Sequence, residues 1–225
     1  MATYKHPQAA QKEHIEPTLS NNNKGPIIGF SVGLLLLILC AIPAHGHSLS
    51  GLQADIYHSI NNVSLPSAFT RGATYATEGL GAGWAIAACV LIALLLKKYR
   101  LSWRFFFTAA GTVAVFYVIK KIINEPRPIA MLHGNLHQRV VETGPGFPSG
   151  HVAAATALAL TLWYVLPKNW RWVPVIWILI VAWSRIYLGV HTPADVLGGF
   201  AVGLMAVSFI RLLPMSVSRP LRLDE

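Results

Sequence analysis

The chain has 225 residues, of which 54% are hydrophobic and 12% charged, and its 18 lysines and arginines against 9 acids give a formal net charge of +9. A mean hydropathy of +0.50 excludes an ordinary soluble domain and places the chain among integral membrane proteins. Much of the positive excess lies in short loops between apolar runs, where it orients a protein in a bilayer; this excludes nucleic acid as the partner and implies a lipid one.

Residues 1–25 are polar and lack a core pattern, so they are expected to form a disordered cytoplasmic tail. A helix crossing the hydrocarbon core needs about 20 apolar residues. Six runs approach this length, at residues 26–44, 79–96, 105–123, 149–166, 173–190 and 193–213. They are too long and continuous for barrel strands. The expected fold is therefore all-α, an integral membrane bundle of six transmembrane helices over residues 26–213, with a second cytoplasmic tail at 214–225. The first run starts late for a signal peptide, and Ala44-His45-Gly46 is a poor cleavage site, so it reads as a membrane anchor. After it, residues 51–62 set Leu52, Ile56 and Ile60 against Gln53, Asp55 and His58, a pattern that fits either an amphipathic surface helix or an irregular loop.

Loop charges orient the bundle. Lys97, Lys98, Arg100 and Arg104 separate the second and third runs, Lys168 and Arg171 the fourth and fifth, and Arg219 and Arg222 follow the sixth. With six crossings, the N-terminal lysines fall on the same side, which the positive-inside tendency makes cytoplasmic. The end of the third run, the start of the fourth, the end of the fifth and the start of the sixth then all open on the external face. Trp103, Trp163, Trp170 and Trp172 stand near run boundaries as interfacial anchors do, and Gly199 and Gly203 form a small-residue pair suited to close helix packing. Cys40 and Cys89 sit inside apolar runs and read as small hydrophobic residues. His45 with His47, and His133 with His137, lie in loops without nearby cysteines or acids and make poor metal sites.

Three polar stretches interrupt this pattern at the external ends: K-K-I-I-N-E-P-R-P at 120–128, P-S-G-H at 148–151 and S-R-I-Y-L-G-V-H-T-P-A-D at 184–195. Ionisable residues at membrane depth are costly unless paired or used. Thr192, Pro193 and Asp195 spell a helix start, with a hydroxyl cap, proline in the first turn and a carboxylate reaching back. Asp195 is also four residues from His191, so it can hold one imidazole nitrogen and leave the other free to attack. Lys120, Arg127 and Arg185 suit phosphate oxygens, the guanidinium groups in a two-pronged way. Ser149 and Gly150 open a helix whose free amides can face an anion, and His151 stands just inside it, placed to protonate a departing oxygen.

The order and spacing of these residues resemble the type 2 phosphatidic acid phosphatase family, membrane lipid phosphatases that share an active site with vanadium haloperoxidases and glucose-6-phosphatase. The family pattern is Lys, six residues, Arg-Pro; Pro-Ser-Gly-His; and Ser-Arg, five residues, His, three residues, Asp. Lys120, Arg127-Pro128, residues 148–151, Ser184-Arg185, His191 and Asp195 match it at every position. The resemblance implies a phosphohistidine mechanism in which His191 attacks phosphorus, Asp195 orients it and His151 protonates the leaving group. Lys120, Arg127, Ser149, Gly150 and Arg185 would then hold the phosphoryl oxygens. With so many cations, no metal and no cofactor is expected. The implied substrate is a membrane lipid phosphate or diphosphate at the outer leaflet, first undecaprenyl diphosphate, then phosphatidylglycerophosphate or phosphatidic acid. The implied place is a bacterial inner membrane, with the site facing away from the cytoplasm. A head-group transporter is the non-enzyme alternative, and it would have no need of His151, His191 and Asp195 at these spacings.

Overall fold

In the computed structural model, which describes residues 23–46, 51–75, 77, 82–131 and 136–213, each apolar run folds as a helix with ends set by local signals. The elements are α1 (Lys24–His45), α2 (Gly51–Asn61), α3 (Ser67–Thr74), α4 (Ala82–Leu95), α5 (Tyr99–Ile123), the single turn α6 (Pro128–Met131), α7 (Gly150–Trp163), α8 (Trp172–Tyr187) and α9 (Pro193–Leu212), with a 3-10 turn at Lys168–Trp170. No strand occurs among the described residues. The expected tails at 1–25 and 214–225 lie outside them, apart from residues 23–25, where α1 has already begun.

Three stretches are long and apolar enough to cross a bilayer: Lys24–His45, Tyr99–Met131 and Pro193–Leu212. The other expected spans are shorter, with 14 residues in α4, 14 in α7 and 16 in α8. At 1.5 Å per residue, 14 residues rise about 21 Å against a hydrocarbon core of about 30 Å. The shortening of α8 falls at the end that carries a polar motif, where residues 188–190 leave the helix, whereas α7 starts within its motif at Gly150 and ends early at Trp163. Arg100 and Arg104, expected in a loop, instead lie in the first turns of α5, which starts at Tyr99.

Small side chains decide the packing. α7 and α9 run side by side at the centre, and α1 lies along α9. A Cβ at Gly203 would stand 2.5 Å from the Ala153 carbonyl oxygen, and one at Gly199 would strike that of Ser149. Both positions therefore need glycine, as the sequence spacing predicts. Leu37, Cys40 and Ala44 of α1 close this core against Ala153, Ala201 and Val202. Outward, Leu35, Leu39, Trp84, Leu95, Val118 and Ile180 form an exposed apolar belt, and Trp103, Trp170 and Trp172 are exposed near helix ends. Cys40 and Cys89 are unpaired.

Residues 51–61 are helical, which resolves the two readings of this segment in favour of the helix. The buried face differs from the apolar pattern, however. Leu52 and Ile56 are exposed, while Tyr57 and Asn61 are buried. Asn61 explains this, because its amide donates to the His137, Ile186 and Tyr187 carbonyls and accepts from the His137 N–H. The helix is thus docked by a polar contact that satisfies carbonyls at the buried C-terminal end of α8.

Candidate active site

The start of α9 is built as its sequence dictates. Thr192 accepts a hydrogen bond from the Asp195 N–H at 3.1 Å, and Asp195 Oδ2 accepts one from the Thr192 N–H at 2.8 Å, completing a capping box with Pro193 in the first turn. The same Oδ2 lies 3.2 Å from His191 Nδ1. Asp195 therefore serves as cap and as the partner that orients the imidazole, leaving Nε2 to face inward. The start of α7 is fastened to this turn by the Ser149 N–H, which donates to the Asp195 carbonyl at 2.9 Å. Ser149 uses its side chain differently from a usual cap. Its hydroxyl makes no capping bond and, although buried, has no partner among the described residues. A hydroxyl in that state suits an incoming anion.

Two arginines converge from separate elements. Arg127, between α5 and α6, donates to the Val190, Gly144 and Thr143 carbonyls, which fixes its guanidinium beside the His191 turn. Arg185, fully buried in the last turn of α8, donates to Thr77. Both reach a residue that the motif reading overlooked. Glu142 Oε2 is 2.9 Å from Arg127 Nη1, and Glu142 Oε1 is 3.1 Å from Arg185 Nη1. His191 Nε2 and His151 Nδ1 stand 3.8 and 3.9 Å from the same carboxylate. One signal was available: Glu142 is the sole acid between Glu125 and Asp195, in a stretch carrying four arginines and one lysine.

Lys120 and His151 complete the surround. With His191, Glu142 and Gly150 they line a cavity of about 530 Å³ whose other walls are apolar residues of α4, α5 and α7, including Trp84, Val113, Phe116 and Tyr117. Lys120 Nζ lies 5.0 Å from the centroid of the Phe116 ring, whereas Lys121 is exposed. The eight residues singled out by sequence therefore meet at one end of the bundle. Of the His45–His47 and His133–His137 pairs, His47 and His133 fall outside the described residues, and neither His45 nor His137 lines the cavity.

Electrostatics favour an anion at the centre of this arrangement. Burial opposes ionisation of Glu142, yet His191, Arg127, His151 and Arg185 hold its carboxyl below the usual range. Burial likewise lowers the His191 imidazole, against the pull of Asp195 and Glu142, and so favours the neutral, nucleophilic form. Glu142, His151 and His191 place their ligand atoms within 4.8 Å of one another, a spacing compatible with a metal ion. The two guanidinium groups already share that carboxylate, and a further cation there would be repelled.

The chain matches the family model described as "PAP2 superfamily" over residues 101–217, more than half its length. It belongs to the PAP2 superfamily. Among similar PAP2 relatives, the undecaprenyl-diphosphatase of Sulfolobus acidocaldarius is 29% identical over 119 residues, covering 52% of this chain and 56% of that one. Dolichyldiphosphatase 1 of Plecturocebus moloch is 28% identical over 188 residues, covering 76% and 73%. In fold, the chain is similar to the transmembrane PAP2-type phosphatidylglycerolphosphate phosphatase of Bacillus subtilis, with a TM-score of 0.62 at 24% identity over 82% of this chain and 92% of that one. The matched segment thus spans little more than half of the first of these relatives.

Proposed function

We propose that the protein is a six-span membrane lipid phosphatase which removes a terminal phosphate through a phosphohistidine intermediate. The observation that carries this reading is the convergence of two guanidinium groups and two imidazoles on a single carboxylate, within a cavity whose remaining walls are apolar. Phosphoryl oxygens fit where the Glu142 oxygens lie, held by Arg127, Arg185 and Lys120, the Ser149 hydroxyl and the amides at the start of α7. His191 Nε2 attacks phosphorus, and the bond to the leaving oxygen breaks as His151 delivers its proton. A water then cleaves the phosphohistidine, with His151 accepting a proton. The Asp195 carboxylate orients His191 and stabilises the imidazolium that forms, as in other oriented-histidine sites.

Lipid character follows from the apolar walls, which extend from the polar centre to the exposed side chains of Trp84 and Tyr117. Undecaprenyl diphosphate is the favoured substrate, supported by the likeness to an undecaprenyl-diphosphatase and to dolichyldiphosphatase 1. Phosphatidylglycerophosphate and phosphatidic acid are the competing choices. The site is assigned to the external face of a bacterial inner membrane on the distribution of loop charges.

The deciding experiment measures phosphate release by the purified protein in detergent, with EDTA, from undecaprenyl diphosphate, phosphatidylglycerophosphate and phosphatidic acid. Fastest turnover is expected on the diphosphate, with loss of about 10³-fold or more in His191→Ala. Inhibition by vanadate is expected as well, because its trigonal-bipyramidal adduct resembles the transition state. Equal release by His191→Ala would remove the nucleophile, and activity that needs a divalent ion would overturn the metal-free chemistry.

A further inference from the structure

Glu125 belongs to no part of the site described so far. It lies in the six residues between Lys120 and Arg127 whose identity the family pattern leaves open, just after Asn124 ends α5 in a left-handed conformation. That turn sends the glutamate inward, where it is 2% exposed. Its backbone is held by the Gly146 N–H, which donates to the Glu125 carbonyl at 2.7 Å. Gly146 is wedged between this backbone and the Asp195 carboxylate: a Cβ there would stand 3.2 Å from the Pro126 carbonyl oxygen and 3.3 Å from Asp195 Oδ2. The Glu125 side chain comes close enough to the same carboxylate for the two to interact electrostatically.

Two buried carboxyls in contact cannot both be ionised unless a cation or water intervenes. No cation pairs with Glu125 among the described residues, and Glu125 Oε2 and Asp195 Oδ1 are both buried without a hydrogen-bond partner there. One proton between them satisfies both orphaned oxygens. The pair is not symmetrical, however. Asp195 Oδ2 accepts from the Thr192 N–H and faces His191 Nδ1, and such donors favour the charged form. The proton accordingly resides on Glu125.

We infer that Glu125 is a positioning residue: as a neutral carboxylic acid it donates its O–H to Asp195 Oδ1 and fixes the plane in which Oδ2 holds His191 Nδ1–H. The inference rests on the phosphohistidine reading and extends it by one link, from α5 through Asp195 to the nucleophile. No proton passes between Glu125 and Asp195 during the reaction. Glu125 never touches the phosphoryl group, so its contribution appears in the chemical step and leaves binding alone.

The test compares Glu125→Gln, Glu125→Leu and Glu125→Ala in the full-length protein, by steady-state phosphate release from undecaprenyl diphosphate and by thermal unfolding. A glutamine amide donates from nearly the same place, so Glu125→Gln keeps kcat within about threefold of the parent. Leucine fills the volume without a donor, and misplacement of the nucleophile then lowers kcat by about 10- to 100-fold with KM little changed. Alanine repeats this in a smaller side chain, so one non-donor variant that folds is sufficient. Glutamine as damaging as leucine at equal melting temperature overturns the proposal, as does a folded leucine or alanine variant with parental kcat. His191→Ala runs in parallel: if it stays active the nucleophile reading itself fails, whereas a dead His191→Ala beside a fully active Glu125→Leu removes the Glu125 link alone.

Discussion

Glu142 neutralises two buried guanidinium groups, and this determines what its removal does. In Glu142→Gln, Arg127 and Arg185 lose their shared counter-ion, and leaving buried charge uncompensated costs about 3–5 kcal/mol. The variant is expected to melt well below the parent, and vanadate should raise its melting temperature more than it raises the parent's, because the added anion takes the vacant place. Equal shifts in both proteins would show that the guanidinium groups do not hold the ligand. A second outcome follows from the proposed role of His191 as nucleophile, which needs the neutral imidazole. Burial lowers its pKa, so the neutral form persists as pH falls, and the acid limb of kcat/KM should lie below the ordinary histidine value of about 6.5. An acid limb above that value in a pH–rate profile would contradict the assignment. At this scale the sequence made His191, Asp195 and the arginines legible, because spacing alone pairs a cap with an imidazole and places cations at helix ends. Glu142 was hidden because its role depends on a loop folding back over α7, and no local periodicity announces that. Glu125 was in view within a quoted motif, but only the approach of Gly146 and Asp195 gives it a partner.

α7 and α9 carry His151 and His191 on adjacent starts, so their spacing sets the geometry of the reaction. The Gly203 contact with the Ala153 carbonyl fixes that spacing further down the pair. Gly203→Val forces the helices apart, and overpacking of this kind costs about 1–3 kcal/mol. Lower resistance to unfolding in detergent is expected together with reduced kcat, although the substitution lies two turns or more from Asp195; unchanged kcat would show that the helix starts are held by their loops alone. The small-residue spacing made this contact predictable, and the capping box set the start of α9 at Pro193 as read. The face of α2 was not predictable from its apolar pattern. Leu52 and Ile56 turn outward because Asn61 has three carbonyls to satisfy, and in a chain surrounded by lipid an exposed leucine costs little. Residues 67–74 form an amphipathic helix of eight residues, too short and too polar to stand out beside runs of about 20 apolar residues, and α3 was not foreseen for that reason.

For the molecule as a whole, hydropathy located every long helix, and the shortfall lies in length. α4, α7 and α8 are shorter than their apolar runs, and in α8 the run continues through residues 188–190 into the turn that carries His191. Orientation rests on charge and is open to direct measurement. In cells, a cysteine introduced at Arg139 should react with an impermeant maleimide and one at Lys98 should not; the reverse pattern would turn the site toward the cytoplasm. The cavity adds a consequence for kinetics. Its walls end on exposed side chains of α4 and α5, with Trp84 74% and Tyr117 58% accessible on the flank of the bundle. A substrate entering there arrives by sliding within its own leaflet and never crosses bulk water. Velocity should then follow the mole fraction of substrate in the micelle or vesicle, so that adding inert detergent at fixed substrate and enzyme slows the reaction as though substrate had been withdrawn.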